Sequence, residues 1–395
     1  MNRVPNPFKA TLGASPPYLA GRKNEIADFK DSIFDGPGSH ERISLITGLR
    51  GVGKTVLLNA FQDAARDESW WVVSETATPG FTQRIQDTVH RIIQTHLRTH
   101  RKTLTGFTIA SLGGVQFANA DTYQPRTTLR DTLTDFFTLQ EEIDKRLGQD
   151  SIGLLITLDE LHYNRQDEVI DFGATIQHLV RENRQIAVTM AGIPQSVKPL
   201  LAADEGKNPV TFLRRANKIQ LGFVNDSDTR DALLTPLESV GLEWEPDALN
   251  LAVDACGGYP FMIQLVGQYL FRAREGAHIT TTSVRTGELR ARQRLGELVH
   301  EPSLADLSNT DRAFLAAMAI DDGPSKMSDI AQRLKVNSQY AGTYRRRLLD
   351  AEIISSPQYG YVSFALPYMR SYLQDNPIIP NLNSINTKDH KDHKG

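Results

Sequence analysis

The sequence predicts an α/β fold: a mainly parallel sheet covered on both faces, followed by an α-helical segment and a smaller carboxy-terminal unit. Three observations predict it. Short apolar runs at 43–47, 70–73, 154–158, 186–190 and 219–221 are separated by stretches of helical character, and such alternation builds parallel sheets with helices on both faces. The runs Leu154–Leu158 and Ile186–Met190 are continuous rather than alternating, as strands buried on two sides are. After Phe223 the strand signals give way to helical spacing, which marks a change of architecture.

In chain order, the first fifteen residues are rich in Pro, Asn and Gly and read as an extended lead-in, with order beginning near Pro16. Ile26, Phe29, Ile33 and Phe34 recur at helical spacing and predict a helix over 25–34. Ile43–Thr47 is the first strand, Gly48–Gly53 a glycine-rich turn, and Val56–Phe61 the start of the next helix. Trp70–Val73 predicts the second strand, Leu154–Leu158 the third, Ile186–Met190 the fourth and Ile219–Leu221 the fifth. Between 105 and 116 polar and apolar residues alternate around Gly113 and Gly114, a pattern expected of a small inserted hairpin. The boundaries expected are a sheet-bearing core over 1–222, a helical segment over 223–302, a third unit over 303–375 and a disordered tail over 376–395. His390 and His393 in that tail read as solvated.

The chain of 395 residues is long enough for two or three domains. Apolar content of 40% and charged content of 23% are ordinary for a soluble protein. The longest uncharged apolar stretch, Ala313–Ile320, is far short of the roughly 18 residues that span a bilayer. The amino terminus lacks the apolar region of a secretory signal. A single cysteine, Cys256, excludes an internal disulfide and a thiolate cage, so it reads as a small core residue and a cytoplasmic location is expected. A net charge of −3 excludes a globally basic nucleic-acid binder but not a local basic patch.

The chemistry is concentrated in Gly48-Leu49-Arg50-Gly51-Val52-Gly53-Lys54-Thr55, which satisfies G-x-x-x-x-G-K-[ST] between a predicted strand and a predicted helix. Polyphosphate is a dense anion; it needs backbone N–H groups unobstructed by side chains, and the following helix N-terminus adds positive potential. Gly48, Gly51, Val52, Gly53, Lys54, Thr55 and Val56 are therefore the expected cradle of this Walker A P-loop. Lys54 neutralises charge and Thr55 offers a hydroxyl to Mg2+. The apolar run at 154–158 ends in Asp159-Glu160. Asp159 is the expected magnesium carboxylate and Glu160 the base for the attacking water.

With these motifs the chain resembles the AAA+ P-loop ATPases, in the branch related to origin-recognition ATPases and to STAND signalling ATPases, over about residues 16–373. The resemblance implies a P-loop NTPase parallel sheet, an α-helical lid, and ATP with Mg2+ as cofactors. Tyr18-Leu19-Ala20-Gly21-Arg22-Lys23-Asn24-Glu25 resembles the box that encloses adenine, which implies roles for Leu19 and Arg22. Thr189 falls at the family's sensor position and also suits a strand as a β-branched residue. Arg214, with Arg215, stands where the family presents an arginine finger to a neighbouring subunit, which implies a homo-oligomer, although both also read as surface residues. Gly257-Gly258-Tyr259-Pro260 resembles the lid motif whose proline, here Pro260, packs near adenine. No arginine lies inside that motif, though Arg272 and Arg274 follow, so slow hydrolysis and a switch-like role are implied. A GTPase is disfavoured because Asn217-Lys218-Ile219-Gln220 lacks the acid that reads guanine.

The third unit reads as helices over Thr310–Ile320, Met327–Leu334 and Ser338–Ala351, then strands at Ile353–Ile354 and Tyr361–Phe364 around a turn at Pro357–Gly360. This order resembles a winged helix. Lys326–Asp350 carries six cations against two acids, a concentration suited to duplex DNA. Asn337, Gln339 and Thr343, near the start of the third helix, are candidate base readers. Arg345, Arg346 and Arg347 fan through about 200°, so they cannot all enter one groove and some must meet phosphates or acids. Docking to a protein partner is the alternative, and no membrane role is expected.

Overall fold

The computed structural model describes residues 4–11, 13–101, 126–161, 166–201, 211–305 and 307–377. The expected hairpin at 105–116 and most of the expected tail lie outside the described residues. The described chain divides into two units, one of residues 22–48 and 53–221, the other of residues up to 21, 49–52 and from 222 onward.

The first unit contains α1 (Lys23–Asp35), β1 (Ile43–Gly48), α2 (Lys54–Asp67), β2 (Trp71–Thr76), α3 (Phe81–Arg101) and α4 (Leu129–Leu147). It continues through β3 (Leu154–Asp159), α5 (Gln166–Arg181), β4 (Ile186–Gly192), α6 (Pro194–Leu201), α7 (Thr211–Arg214) and β5 (Asn217–Leu221). The five strands form one parallel sheet in the order β2-β3-β4-β1-β5. All seven residues of β4 are buried and so are the first five of β3, which is why their sequences are unbroken apolar runs. Phe81, Phe136, Phe137, Phe172 and Ile176 form a core with Leu154, Ile156 and Leu158 of β3 and with Val188 of β4. In α1 and α2, Phe29 and Phe61 stack with centroids 4.3 Å apart.

One row of the sheet is polar on every strand. Ser74, Thr157, Thr189, Ser44 and Asn217 lie side by side across β2, β3, β4, β1 and β5. Gln62 of α2 donates to Ser74 Oγ at 3.0 Å and to Thr157 Oγ1 at 2.8 Å, and Asn217 donates to Ser44 Oγ at 3.2 Å. The β2 and β3 members of the row therefore lie under α2, and the bond from Gln62 compensates the burial of the Thr157 hydroxyl. A second polar anchor is Arg42, only 2% exposed. It donates to the carbonyls of Ser32 (2.7 Å) and Ile33 (2.6 Å) at the end of α1 and to Gln185 Oε1 (2.7 Å).

The second unit contains α8 (Asp226–Glu238), β6 (Glu243–Trp244), α9 (Ala248–Cys256), α10 (Pro260–Ala273), β7 (His278–Ile279), α11 (Thr281–Leu295), a π-helical turn at Gly296–His300 and α12 (Glu301–Ala305). There follow α13 (Asn309–Met318), β8 (Ser325–Lys326), α14 (Met327–Leu334), α15 (Ser338–Asp350), β9 (Ile354–Ser355), β10 (Tyr361–Phe364) and α16 (Met369–Asp375). β8, β10 and β9 form an antiparallel three-stranded sheet. The last helices are tied to the rest of the unit by Tyr368, which donates to the Ala255 carbonyl at 2.6 Å, and by His300, whose Nε2 lies 2.8 Å from the Pro367 carbonyl oxygen.

The amino-terminal strap departs from the expected lead-in. Phe8 is buried against Gly267 of α10, where an added Cβ would lie 2.4 Å from its ring. Asn6 donates to the Gln268 carbonyl at 2.9 Å and the Lys9 amide to Gln264 Oε1 at 3.2 Å. Order thus begins earlier than Pro16, because one apolar side chain and two hydrogen bonds anchor a segment whose composition suggests none. Among the described residues no helix is long and apolar enough to cross a membrane.

Candidate functional site: the P-loop and its acidic partner

The sheet order sets the site. Ligands of open α/β sheets bind beyond the carboxyl ends of the strands, and both β1 and β3 deliver candidate residues there. After β1 the chain turns through Gly53, whose φ of 98° is left-handed, and Lys54 opens α2. Lys54 Nζ donates to the Gly48 carbonyl at 2.7 Å, across the base of the loop. The next side chain, Thr55, donates from Oγ1 to Asp159 Oδ2 at 2.6 Å. A residue at the start of α2 and one at the end of β3, 104 positions apart, are thereby in direct contact.

The other Asp159 oxygen, Oδ1, accepts from the Glu160 amide at 2.8 Å. Glu160 itself has φ 55° and is exposed. Such a conformation is costly for a residue with a Cβ, and it turns the chain away from the strand direction immediately after Asp159. A hydroxyl and a carboxylate within hydrogen-bonding distance are hard oxygen ligands of the kind Mg2+ takes, with phosphates and water completing the shell. The donor set therefore fits a magnesium nucleotide.

Thr189 occupies the middle of the polar row, fully buried, and its hydroxyl has no partner among the described residues. The ladder runs from Thr157 beside Thr189 to Leu158 beside Met190 and ends there; beyond it the Leu161 amide donates to the Ala191 carbonyl at 2.7 Å. Gly48 closes β1, and Val56 is half-buried on α2. Arg22 is buried, with its guanidinium 4.0 Å from Glu25. Arg214, at the end of α7, is exposed and donates from Nε to the Leu201 carbonyl at 2.7 Å.

In the second unit, the loop residues Leu49–Val52 cluster with the helices. Val52 is 1% exposed. Tyr259, fully buried, donates from its phenol to the Arg50 carbonyl at 2.7 Å. Gly51, with φ 79°, lies directly under the phenol: an added Cβ would sit 2.1 Å from Tyr259 Oη. Burial pushes the Tyr259 phenol up, so it stays a donor. Sequence reasoning missed Tyr259 and singled out its neighbour Pro260, which is half-buried at the start of α10. The available signal was an aromatic residue inside a Gly-Gly-x-Pro turn. Leu19 is half-buried in the same unit, and burial keeps the Cys256 thiol protonated, as suits a core residue.

On α15, Gln339, Thr343 and Arg346 are exposed and share one face by their spacing. Asn337 is exposed too, but its side-chain oxygen caps α15 by accepting from the Tyr340 amide at 2.8 Å. Arg347 pairs with Asp311 at 2.9 Å, and Arg345 donates to Ser356 at 2.9 Å. Arg333 is held bidentately by Asp321. Of the six cations, Lys326, Lys335, Arg345 and Arg346 have no carboxylate partner among the described residues.

Residues 18–188 match the AAA ATPase domain family, and residues 297–373 match a domain of unknown function (DUF8462). No curated protein matches the sequence. Among solved structures, the chain is similar to the Walker-type ATPase PABY2304 of Pyrococcus abyssi, at 16% identity and TM-score 0.61, covering 90% of this chain and 96% of that one. Cdc6p of Pyrobaculum aerophilum aligns at 16% identity and TM-score 0.44, covering 93% of this chain and 96% of that one. The RuvB Holliday junction branch migration motor of Thermotoga maritima aligns at 13% identity and TM-score 0.41, covering 91% of this chain and 97% of that one. The family match covers residues 18–188, less than half of the chain, and the Pyrococcus abyssi structure shares its fold.

Proposed function

We propose that the chain is an ATP-binding and ATP-hydrolysing AAA+ switch that controls a DNA-binding winged helix. The observation that carries the nucleotide half is the 2.6 Å bond between Thr55 and Asp159, because it joins the two halves of a magnesium-phosphate site. Gly48, Gly53 and Lys54 would hold the polyphosphate, and Thr55 with Asp159 would hold Mg2+, which supplies charge neutralisation at the terminal phosphates. Lys54 exchanges the Gly48 carbonyl for a phosphate oxygen. Glu160, exposed beside Asp159, accepts the proton of the attacking water. Leu19, Arg22 and Pro260 around adenine, Thr189 as a sensor, and Arg214 acting on a neighbouring copy belong to this reading on the strength of the resemblance.

The order α13, β8, α14, α15, β9, β10 with its antiparallel three-stranded sheet supports reading residues 303–375 as a winged helix. The exposed face of Gln339, Thr343 and Arg346 then meets the duplex, and Arg345 and Arg347 position α15 through Ser356 and Asp311. The test is calorimetric and kinetic. Lys54→Ala should abolish heat on adding Mg-ATP, and Glu160→Gln should bind normally while turnover falls by about 10²-fold or more. Wild-type protein should bind duplex DNA with a steep salt dependence; absence of binding at low salt, with and without ATP, overturns the DNA half.

A second reading is favoured by the carboxylate pairing of two arginines, Arg333 with Asp321 and Arg347 with Asp311. Their commitment leaves a less basic surface, as suits a STAND-type switch whose winged helix binds a protein. ADP retained through purification, with no DNA binding, would select it.

A further inference from the structure

Helices α10 and α11 pack closely because Gly287 puts no side chain between them: an added Cβ would lie 2.7 Å from the Leu270 amide nitrogen. Beside this contact runs a groove of about 520 Å3, to which the amino-terminal strap contributes Ala10. Its polar lining comes from Gln268, Tyr269 and Arg272 on α10, and from Arg290, Arg294 and Glu297 on α11 and the turn that follows. The single acid among these is already spent, since Arg294 Nη1 lies 2.5 Å from Glu297 Oε2. Arg272 and Arg290 are exposed and have no carboxylate partner among the described residues. Arg272 lies over the Tyr269 ring, 5.3 Å from its centroid.

Two uncompensated guanidinium groups in a concave site select an anion, and long exposed side chains suit an extended one. The lining spans 265–272 on α10 and 290–297 on the opposite side, about 10 Å along each helix. One strand of a duplex advances about 3.4 Å per phosphate along its axis, so the groove matches some three phosphates. A tyrosine among arginines favours nucleic acid over an acidic peptide, because it stacks on sugar or base while the guanidiniums fork onto phosphates.

We propose that this groove is a second nucleic-acid contact, in which Arg272 and Arg290 each hold a backbone phosphate of DNA whose first contact is α15. The inference rests on the DNA-binding reading above. Affinity for a random-sequence duplex should be measured by anisotropy across about 50 to 200 mM salt, for the wild type, for Arg272→Gln/Arg290→Gln and for Arg346→Gln. The double variant should lower the slope of log affinity against log salt by about 2, close to 0.9 per phosphate contact, with unchanged melting and unchanged ATP turnover. A wild-type slope in the double variant, with Arg346→Gln still weakening binding, overturns the groove and leaves the DNA reading standing. No duplex binding by the wild type overturns that reading instead. Binding of polyglutamate but not DNA, lost in the double variant, makes the groove a peptide site and refutes the proposal as stated.

Discussion

The contact between Gly51 and Tyr259 yields the most discriminating prediction. Gly51→Ala adds one carbon at φ 79°, where an L-residue costs about 1–2 kcal/mol. The new Cβ would stand 2.1 Å from Tyr259 Oη and 2.8 Å from Cζ, so one group must move. The fully buried ring can yield only by giving up its bond to the Arg50 carbonyl, and a buried donor left unsatisfied costs about 1–3 kcal/mol. The single substitution should therefore cost about 2–5 kcal/mol, the sum of those ranges. Tyr259→Phe removes only the hydroxyl and should cost about 1 kcal/mol.

In the double variant the atom at 2.1 Å is gone and the nearest ring atom is 2.8 Å away. The two losses should then fall short of their sum by about 1–3 kcal/mol, as for residues in contact. The assay is a double-mutant cycle on urea unfolding of the second unit's transition, with Mg-ATP calorimetry on the same four proteins. Additivity within about 0.5 kcal/mol refutes the argument, because it means that Gly51 and the phenol do not share the space.

Three further outcomes follow from buried groups. Arg42→Met should lower stability by about 3–4 kcal/mol, since it orphans the carbonyls of Ser32 and Ile33 at the end of α1; thermal unfolding checks it, and a loss below about 1 kcal/mol contradicts it. Phe8→Ala should cost about 3 kcal/mol by emptying the site over Gly267, and should raise protease cleavage near the amino terminus. Burial pushes the His300 imidazole down to about 4 against a bond to the Pro367 carbonyl that raises it. The unfolded chain, at its ordinary 6.5, takes up the proton first as pH falls. Stability should therefore drop by about 3 kcal/mol between pH 6.5 and 4 and level off below; His300→Gln should remove that slope from denaturation curves.

The parts legible in the sequence were those whose signal is local. The continuous runs of β3 and β4 announced two-sided burial, and the spacing of Gly48, Gly53, Lys54 and Thr55 announced the glycine turn between β1 and α2. The parts that were not legible depend on pairings across the chain. β8 is two residues long and exists because it pairs with β10, and no periodicity survives in two residues. Phe8 is one apolar side chain in a Pro- and Asn-rich segment, and its burial is decided by Gly267, more than 250 positions away. The arginine run on α15 was rightly expected to divide its duties, but only the fold assigns Arg347 to Asp311.

The carboxylate of Asp159 is used on both sides, by the Thr55 hydroxyl at one oxygen and the Glu160 amide at the other. Its closest isostere is therefore restricted to one orientation. Asparagine offers one acceptor and one donor, and its N–H meets an acceptor only on the Thr55 side, where the hydroxyl then accepts rather than donates. If the N–H faces the amide, the left-handed turn at Glu160 loses its internal tether and the acid swings out of register. Neutralising this position thus reverses the bond to Thr55 and makes the tether at Glu160 depend on one amide orientation, as well as removing the local charge, and a loss of turnover in that variant measures these together.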